Sequence, residues 1–248
     1  MGNTKIAKTS ETAAGRGTGT RGRIVRAAAG LLVEGGREAV TTRAVAAAAG
    51  VQAPTIYRQF GDMRGLLDEV ASFGFSSYLR DKTSRERLGD PVEDLRRGWD
   101  LHIGFGFENP AFYTLMYGDP RPGVEPAAAR EAAEILHGLV RRVAEAGRLR
   151  IGVESAVRMI HAAGSGVTLT LIGTRPEERD PALSEATREA ILAAVTTDAV
   201  PDAATGQDRV PGRAVALKAV LPEASAGFTP SESALLSEWL DRLARHRG

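Results

Sequence analysis

Residues 41–60 read TTRAVAAAAGVQAPTIYRQF, and this stretch decides the fold. Thr41 suits the N-cap of a short helix, because its hydroxyl can accept from a backbone N–H that the first turn leaves without a partner. Val45, Ala46 and Ala49 then fall on one side of that helix, and Gly50 and Val51 turn the chain. A second short helix is expected from Gln52 to Phe60, with Pro54 near its start, where a missing N–H costs nothing. Ile56 and Phe60 are four residues apart and share its inward side, which leaves Gln52, Ala53, Thr55, Tyr57, Arg58 and Gln59 outward. Two short helices joined by a tight turn and held by small apolar residues form a helix-turn-helix. Its second helix is of a size to enter a major groove about 12 Å wide.

The outward side chains have the right chemistry for that groove. Arg58 can fork onto guanine and Gln59 onto adenine, while Ala53 or the Thr55 methyl can meet a thymine methyl. Arg43 opposes the positive end of its helix dipole, a cost of about 0.3–1 kcal/mol that a nearby phosphate reverses. Thr42, Arg43 and Tyr57 are therefore phosphate candidates. The alternatives are a solvated surface arginine at 43 and a half-buried core edge at Tyr57.

Working outward, Ile24, Ala27, Ala28, Leu31 and Leu32 trace a helix that Gly35 and Gly36 stop. Asp62 is placed to cap a fourth helix bearing Leu66, Leu67, Val70 and Phe73. Residues 1–64 hold ten Lys or Arg against four acids, a surplus of six in a chain whose total is +1, so the remainder carries −5. Such a split suits a polyanion partner for the front, an ordinary solvated basic face being the alternative. Residues 1–20 have little to bury and read as a flexible basic arm with Lys5, Lys8 and Arg16. The 248 residues contain no cysteine, which excludes disulfides and thiolate chemistry. There is no signal-like apolar run and no stretch long enough to cross a bilayer, so a cytoplasmic, nucleoid-associated protein is expected, with no membrane partner.

Beyond Tyr78, the charged run 80–87 and Gly89, Asp90 and Pro91 mark a break. Helices are expected from Val92 to about Phe107, from Pro110 through Met116 and Tyr117, and from about Pro126 to Gly147. Val153–Ile172 reads as a helix, with a strand at its β-branched end as the alternative. Asp180 and Pro181 open another helix, residues 201–213 read as a mobile connector, and Thr229 and Pro230 open a last helix with Leu235, Leu236, Trp239, Leu240 and Leu243 on one face.

The block Gly36–Leu67, GREAVTTRAVAAAAGVQAPTIYRQFGDMRGLL, resembles the TetR family of bacterial regulators. Thr42, Arg43, Ala46, Gly50, Val51, Thr55, Tyr57, Phe60, Leu66 and Leu67 match its usual pattern in order and spacing. The resemblance implies an all-α homodimer with a three-helix DNA-binding head at 21–67 and a ligand-binding and dimerisation body at 68–248. It implies DNA contacts at Thr42, Arg43, Gln52, Ala53, Pro54, Thr55, Tyr57 and Arg58, with the basic arm reaching a minor groove. Two departures stand out. Gln52 replaces the family's Ser or Thr and is a weaker cap, and Met63 replaces a Lys, leaving Arg64 as the nearest cation.

Carried over to the body, the resemblance implies a pocket for a small, partly apolar organic effector, for which Trp99, His102, Phe105, Phe112, Tyr113, Met116, His137, Met159 and His161 are the candidates. An aromatic stripe that simply fills a core is the alternative. Dimerisation would fall on 153–173 and 182–199, with Ala162, Ala163, Gly164 and Gly166 allowing close approach and Trp239 either extending the interface or capping the monomer. No cofactor is implied. His102, His161, Asp100 and Glu108 compose no metal, phosphate or nucleophile motif, so no catalysis is expected. The functional expectation is a repressor released from a palindromic operator by the effector. An activator or corepressor-dependent regulator, and an all-α carrier or enzyme with a non-functional head, are the alternatives.

Overall fold

Caps and breakers set the elements. The computed structural model describes residues 19–82, 89–118, 122–123, 125–180, 182–197, 209–224 and 227–245. The basic arm with Lys5, Lys8 and Arg16 and most of the 201–213 connector lie outside them. Eleven α-helices occur among the described residues: α1 (Thr20–Ala39), α2 (Thr42–Ala49), α3 (Ala53–Phe60), α4 (Met63–Lys82), α5 (Pro91–Glu108), α6 (Pro110–Tyr117), α7 (Ala127–Glu145), α8 (Val153–Gly173), α9 (Ala182–Val195), α10 (Arg209–Ala224) and α11 (Pro230–Arg245). The only pairing of β type among them is one antiparallel bridge, Leu149 to Thr196.

The expected cap residues serve as caps. Thr41 Oγ1 accepts from Ala44 N at 3.2 Å, Asp62 Oδ1 from Gly65 N at 2.8 Å, and Asp180 Oδ1 from Ala182 N at 2.9 Å. Thr229 and Glu232 bond reciprocally in a capping box. Gln52 makes no side-chain cap bond. Asp90, read as part of a break, instead starts α5 by accepting from Val92 N at 2.8 Å. The β-branched end of α8 is helical to Gly173.

The chain divides into two compact units, one of residues 1–85 and 104–131, the other of 86–103 and 132–248. In the first, α1 packs on α2, α4 and α6, and α3 packs on α2 and α4. Ile24, Ala28, Leu32, Val45, Ile56, Leu66 and Val70 form its buried centre. The inward stripe of α4 continues through Ala71, Phe75 and Tyr78, whereas Phe73, expected on that side, is half-buried. The i+3 and i+4 steps from Leu67 lead to Ala71, Phe75 and Tyr78, and Phe73 falls outside them.

The second unit is built around Leu95, Trp99, Val140, Val143, Ile160, Leu171, Leu192, Val195 and Val215. Ion pairs join α5 to α9: Arg96 donates to both oxygens of Glu189 at 3.2–3.3 Å, and Arg188 to Asp100 at 2.6 Å. Arg96 and then Arg188 hold the Glu189 carboxyl below its ordinary value. One sequence expectation is corrected here: residues 209–213 are not connector but the first turn of α10. Pro211 stands in that turn, where its missing N–H costs little, and Ala214, Val215 and Leu221 bury the helix.

Candidate nucleic-acid interface

The turn between α2 and α3 depends on Gly50, which takes φ 63°, ψ 43° and lets its N–H and that of Val51 close the last turn of α2. This folds α3 back against α2. Thr42 Oγ1 and the Tyr57 hydroxyl come within 3.1 Å of each other as a result. Tyr57 is 47% exposed, so its ring stands out while its polar tip is held by the neighbouring helix.

Ile56 is fully buried and anchors α3. Arg43, Gln52, Pro54, Tyr57 and Arg58 are exposed, and Thr42, Ala53 and Thr55 are half-buried. All eight candidates thus occupy α2 and α3 and the turn that joins them, with some solvent access at each. Arg43 lies in the first turn of α2 and Pro54 in the first turn of α3, so N-terminal N–H groups lie beside them. An anion there would meet oriented donors, two hydroxyls and two guanidinium groups.

Phe60, expected in the core with Ile56, is only half-buried. The Arg21 guanidinium covers it at 4.4 Å from the ring centroid. Arg21 also donates to the Gln59 carbonyl and to Glu69 Oε1, the latter at 2.9 Å. A cation at the carboxyl end of α3 complements the helix dipole, and the three partners tie α1, α3 and α4 together. Sequence reasoning counted Arg21 only as charge. Its partners are 38 and 48 residues away, so no local spacing could have revealed them.

The nine candidate effector residues divide between the two units. Phe105, Phe112, Tyr113 and Met116 are buried in the first. Phe105 meets Phe75, Tyr78 and Tyr113 at centroid distances of 5.3, 5.1 and 6.1 Å, and a Cβ added to Gly74 would lie 2.3 Å from Phe112. These rings fill a core. In the second unit, Trp99 and His102 lie against Gly164, where an added Cβ would touch both at 3.5–3.6 Å. The Trp99 indole N–H donates to Ser184 Oγ at 3.1 Å. His102 is pushed down to about 4, first by burial and then by the neighbouring His161. His137 pairs with Glu154 at 3.0 Å instead, and Met159 is exposed, so neither joins that group. Of the small residues on α8, Gly164 is buried and Ala163 half-buried. Gly164 is buried against Trp99 and His102, and Ala163 packs on the unit's core, because both lie on the inward arc with Ile160, Val167 and Leu171. Ala162 and Gly166 do face solvent.

Residues 24–70 match the family described as bacterial regulatory proteins, tetR family. An uncharacterized HTH-type transcriptional regulator of Mycobacterium bovis is 38% identical over 89 residues, taking in 33% of this chain and 47% of that protein. A relative from Mycobacterium tuberculosis matches to the same extent. The chain thus spans about half the length of the curated relatives it matches. Among solved structures, a protein of Shewanella sp. PV-4 assigned to the tetR family of transcription regulators aligns with TM-score 0.55 at 20% identity, over 72% of this chain and 99% of the other. A Rhodococcus sp. RHA1 protein of unknown function aligns with TM-score 0.57 at 18% identity, over 74% and 99%. At such identities the likeness is one of fold. No described helix is long and apolar enough to cross a membrane. Residues 24–70 thus carry the sequence pattern of the tetR family of bacterial regulatory proteins, and the helical fold around them is like that of the two solved structures.

Proposed function

We propose that this protein is a DNA-binding transcriptional regulator of the cytoplasm, a homodimer that represses by occupying a palindromic operator and is released by a small, partly apolar organic effector. The observation that carries the reading is the pairing of Thr42 with Tyr57 on an exposed basic surface. Two hydroxyls, Arg43 and helix N-termini seat the backbone, while Gln52, Ala53, Pro54, Thr55 and Arg58 face base edges. Twofold symmetry follows from the groove, since two reading helices must span about 34–36 Å or a near multiple. The exposed small residues Ala162 and Gly166 on α8 and Ala182, Ala186, Ala190 and Ala193 on α9 support close pairing of copies there. For the effector, Trp99, His102 and His161 offer an apolar ring face beside two imidazoles. The role is regulatory and no catalysis is involved.

The test is binding of the purified chain to duplexes tiled across the DNA around its own gene, followed by fluorescence anisotropy from 50 to 200 mM salt. Affinity should fall steeply with salt, and Arg58→Ala should lose about 5- to 150-fold, the equivalent of 1–3 kcal/mol. Binding to none of these duplexes, or binding indifferent to salt, would sink the proposal. If a released effector is found, a coupling of about 1–3 kcal/mol is expected.

A further inference from the structure

The helix α3 is short and lightly anchored. Its eight residues make a rod about 12 Å long, too short to hold its own shape in water, and of its side chains Ile56 alone is buried. Its orientation must therefore come from its surroundings at each end. Toward α2, the Gly50 turn and the meeting of Thr42 with Tyr57 supply it. At the carboxyl end the holding group is Arg21. A helix leaves its last carbonyls without intrahelical donors, and the Arg21 guanidinium donates to one of these, that of Gln59. Its other amino group donates to Glu69 Oε1 on α4 at 2.9 Å, and its central carbon lies 4.4 Å from the centroid of the Phe60 ring. The first turn of α4 adds a steric stop, since a Cβ at Gly65 would strike the Phe60 carbonyl.

Neither α1 nor the stability of the head accounts for this arginine. Arg21 lies in the first turn of α1, where a cation opposes the helix dipole. Its pair with Glu69 leaves the two side chains 46% and 48% exposed, and a pair so exposed contributes little to folding. What the three contacts do supply is direction. A planar guanidinium donates along fixed lines while lying over a ring, which an ammonium cannot do. One rigid group thus joins α1, α3 and α4 at the end of α3. Arg58 precedes Gln59, so any swing of the Gln59 carbonyl carries the Arg58 side chain with it. Recognition of a base edge tolerates displacements of only about 0.5 Å.

We propose that Arg21 is a positioning residue for operator recognition: through Gln59, Phe60 and Glu69 it fixes the carboxyl end of α3 so that Arg58 meets its base edge, without itself touching DNA. The inference rests on the reading of this head as DNA-binding. Full-length wild type, Arg21→Ala, Arg21→Lys and Glu69→Gln would be titrated by fluorescence anisotropy from 50 to 200 mM salt against the duplex that wild type selects and a scrambled duplex of the same length, with helicity followed by circular dichroism. Arg21→Ala should lose about tenfold on the selected duplex and scarcely change on the scrambled one, and its salt slope should stay that of wild type, because no phosphate contact is removed. Arg21→Lys keeps the charge but not the fork, and should fall nearer to Arg21→Ala than to wild type. Glu69→Gln should show a smaller loss at the same slope. In an Arg58→Ala background the Arg21 effect should shrink, since the two residues act on one contact. Equal losses on both duplexes with a slope reduced by about 1 would overturn the proposal by making Arg21 a phosphate contact. So would unchanged affinity in Arg21→Ala, tighter binding by Glu69→Gln, losses that add fully with Arg58→Ala, or a loss of helicity in both Arg21 variants large enough to explain the whole effect. Wild type that selects no duplex would sink the DNA-binding reading and this inference with it, whereas wild-type binding with unaltered variants would sink this inference alone.

Discussion

The head and the last helix, α11, each expose an aromatic ring, and the two rings have opposite surroundings. Tyr57 projects with its hydroxyl held by Thr42 and with Arg58, Gln52 and Arg43 exposed on the same pair of helices. Trp239 projects between Leu235 and Leu243, its exposed neighbours at four-residue steps. Similar exposure therefore carries different meanings. A ring whose polar tip is positioned among donors suits a hydrated, charged partner, and a ring within an apolar stripe suits a protein surface. The neighbours decide: on α11 they come from helical periodicity, and on the head from periodicity together with the contact of Thr42 with Tyr57.

Four outcomes break or sharpen this comparison. The largest effect is expected beneath the reading helix. Ile56→Ala should cost the head about 2–5 kcal/mol, seen as a lower thermal midpoint, because Ile56 is fully buried. Trp239→Ser should change the melting of the isolated copy by no more than about 0.5 kcal/mol. Comparable losses for the two would erase the distinction between an anchored and a presented surface.

Next comes acidity, which should weaken the second unit through His102. Its folded value of about 4 lies below the ordinary 6.5. Folding therefore favours the neutral ring. The stability is fully present above about pH 6.5 and is lost as pH falls toward 4, by up to roughly 3 kcal/mol. Thermal melts of wild type and His102→Gln at pH 7.5 and 4.5 measure it, and equal pH slopes for the two would show that His102 contributes nothing.

Two smaller effects separate capping from recognition. Thr41→Ala should cost about 1 kcal/mol by removing the bond to Ala44 N. Gln52→Ala should leave stability within about 0.5 kcal/mol, since Gln52 makes no cap bond, yet it should weaken operator affinity. A stability loss at Gln52 matching that at Thr41 would mean that Gln52 is structural.

Most of the head was legible because its signals are local. The Thr41 and Asp62 caps, the Gly50 turn and the Ile56 anchor each lie within four residues of what they control, and a helix is short-range enough for such rules to hold. Phe60 escaped the same logic, since Arg21, which arrives from the start of α1, covers its ring. The effector candidates were less legible. Helical spacing groups Phe105, Phe112 and Tyr113 as apolar but does not tell which ring meets which, and Phe105 packs on both Phe75 and Tyr113.

By itself, then, the sequence of residues 41–60 determined that two short helices meet at a glycine and turn Arg58 and Tyr57 outward, because caps, turns and helical period act over a single turn of chain. Tertiary structure alone decided that Tyr57 finds Thr42, that Gly164 faces Trp99 and His102 inside its unit, and that α10 begins at Arg209. Those outcomes depend on which distant surface each helix buries, and the free energy of burial belongs to pairs of elements that no local pattern specifies.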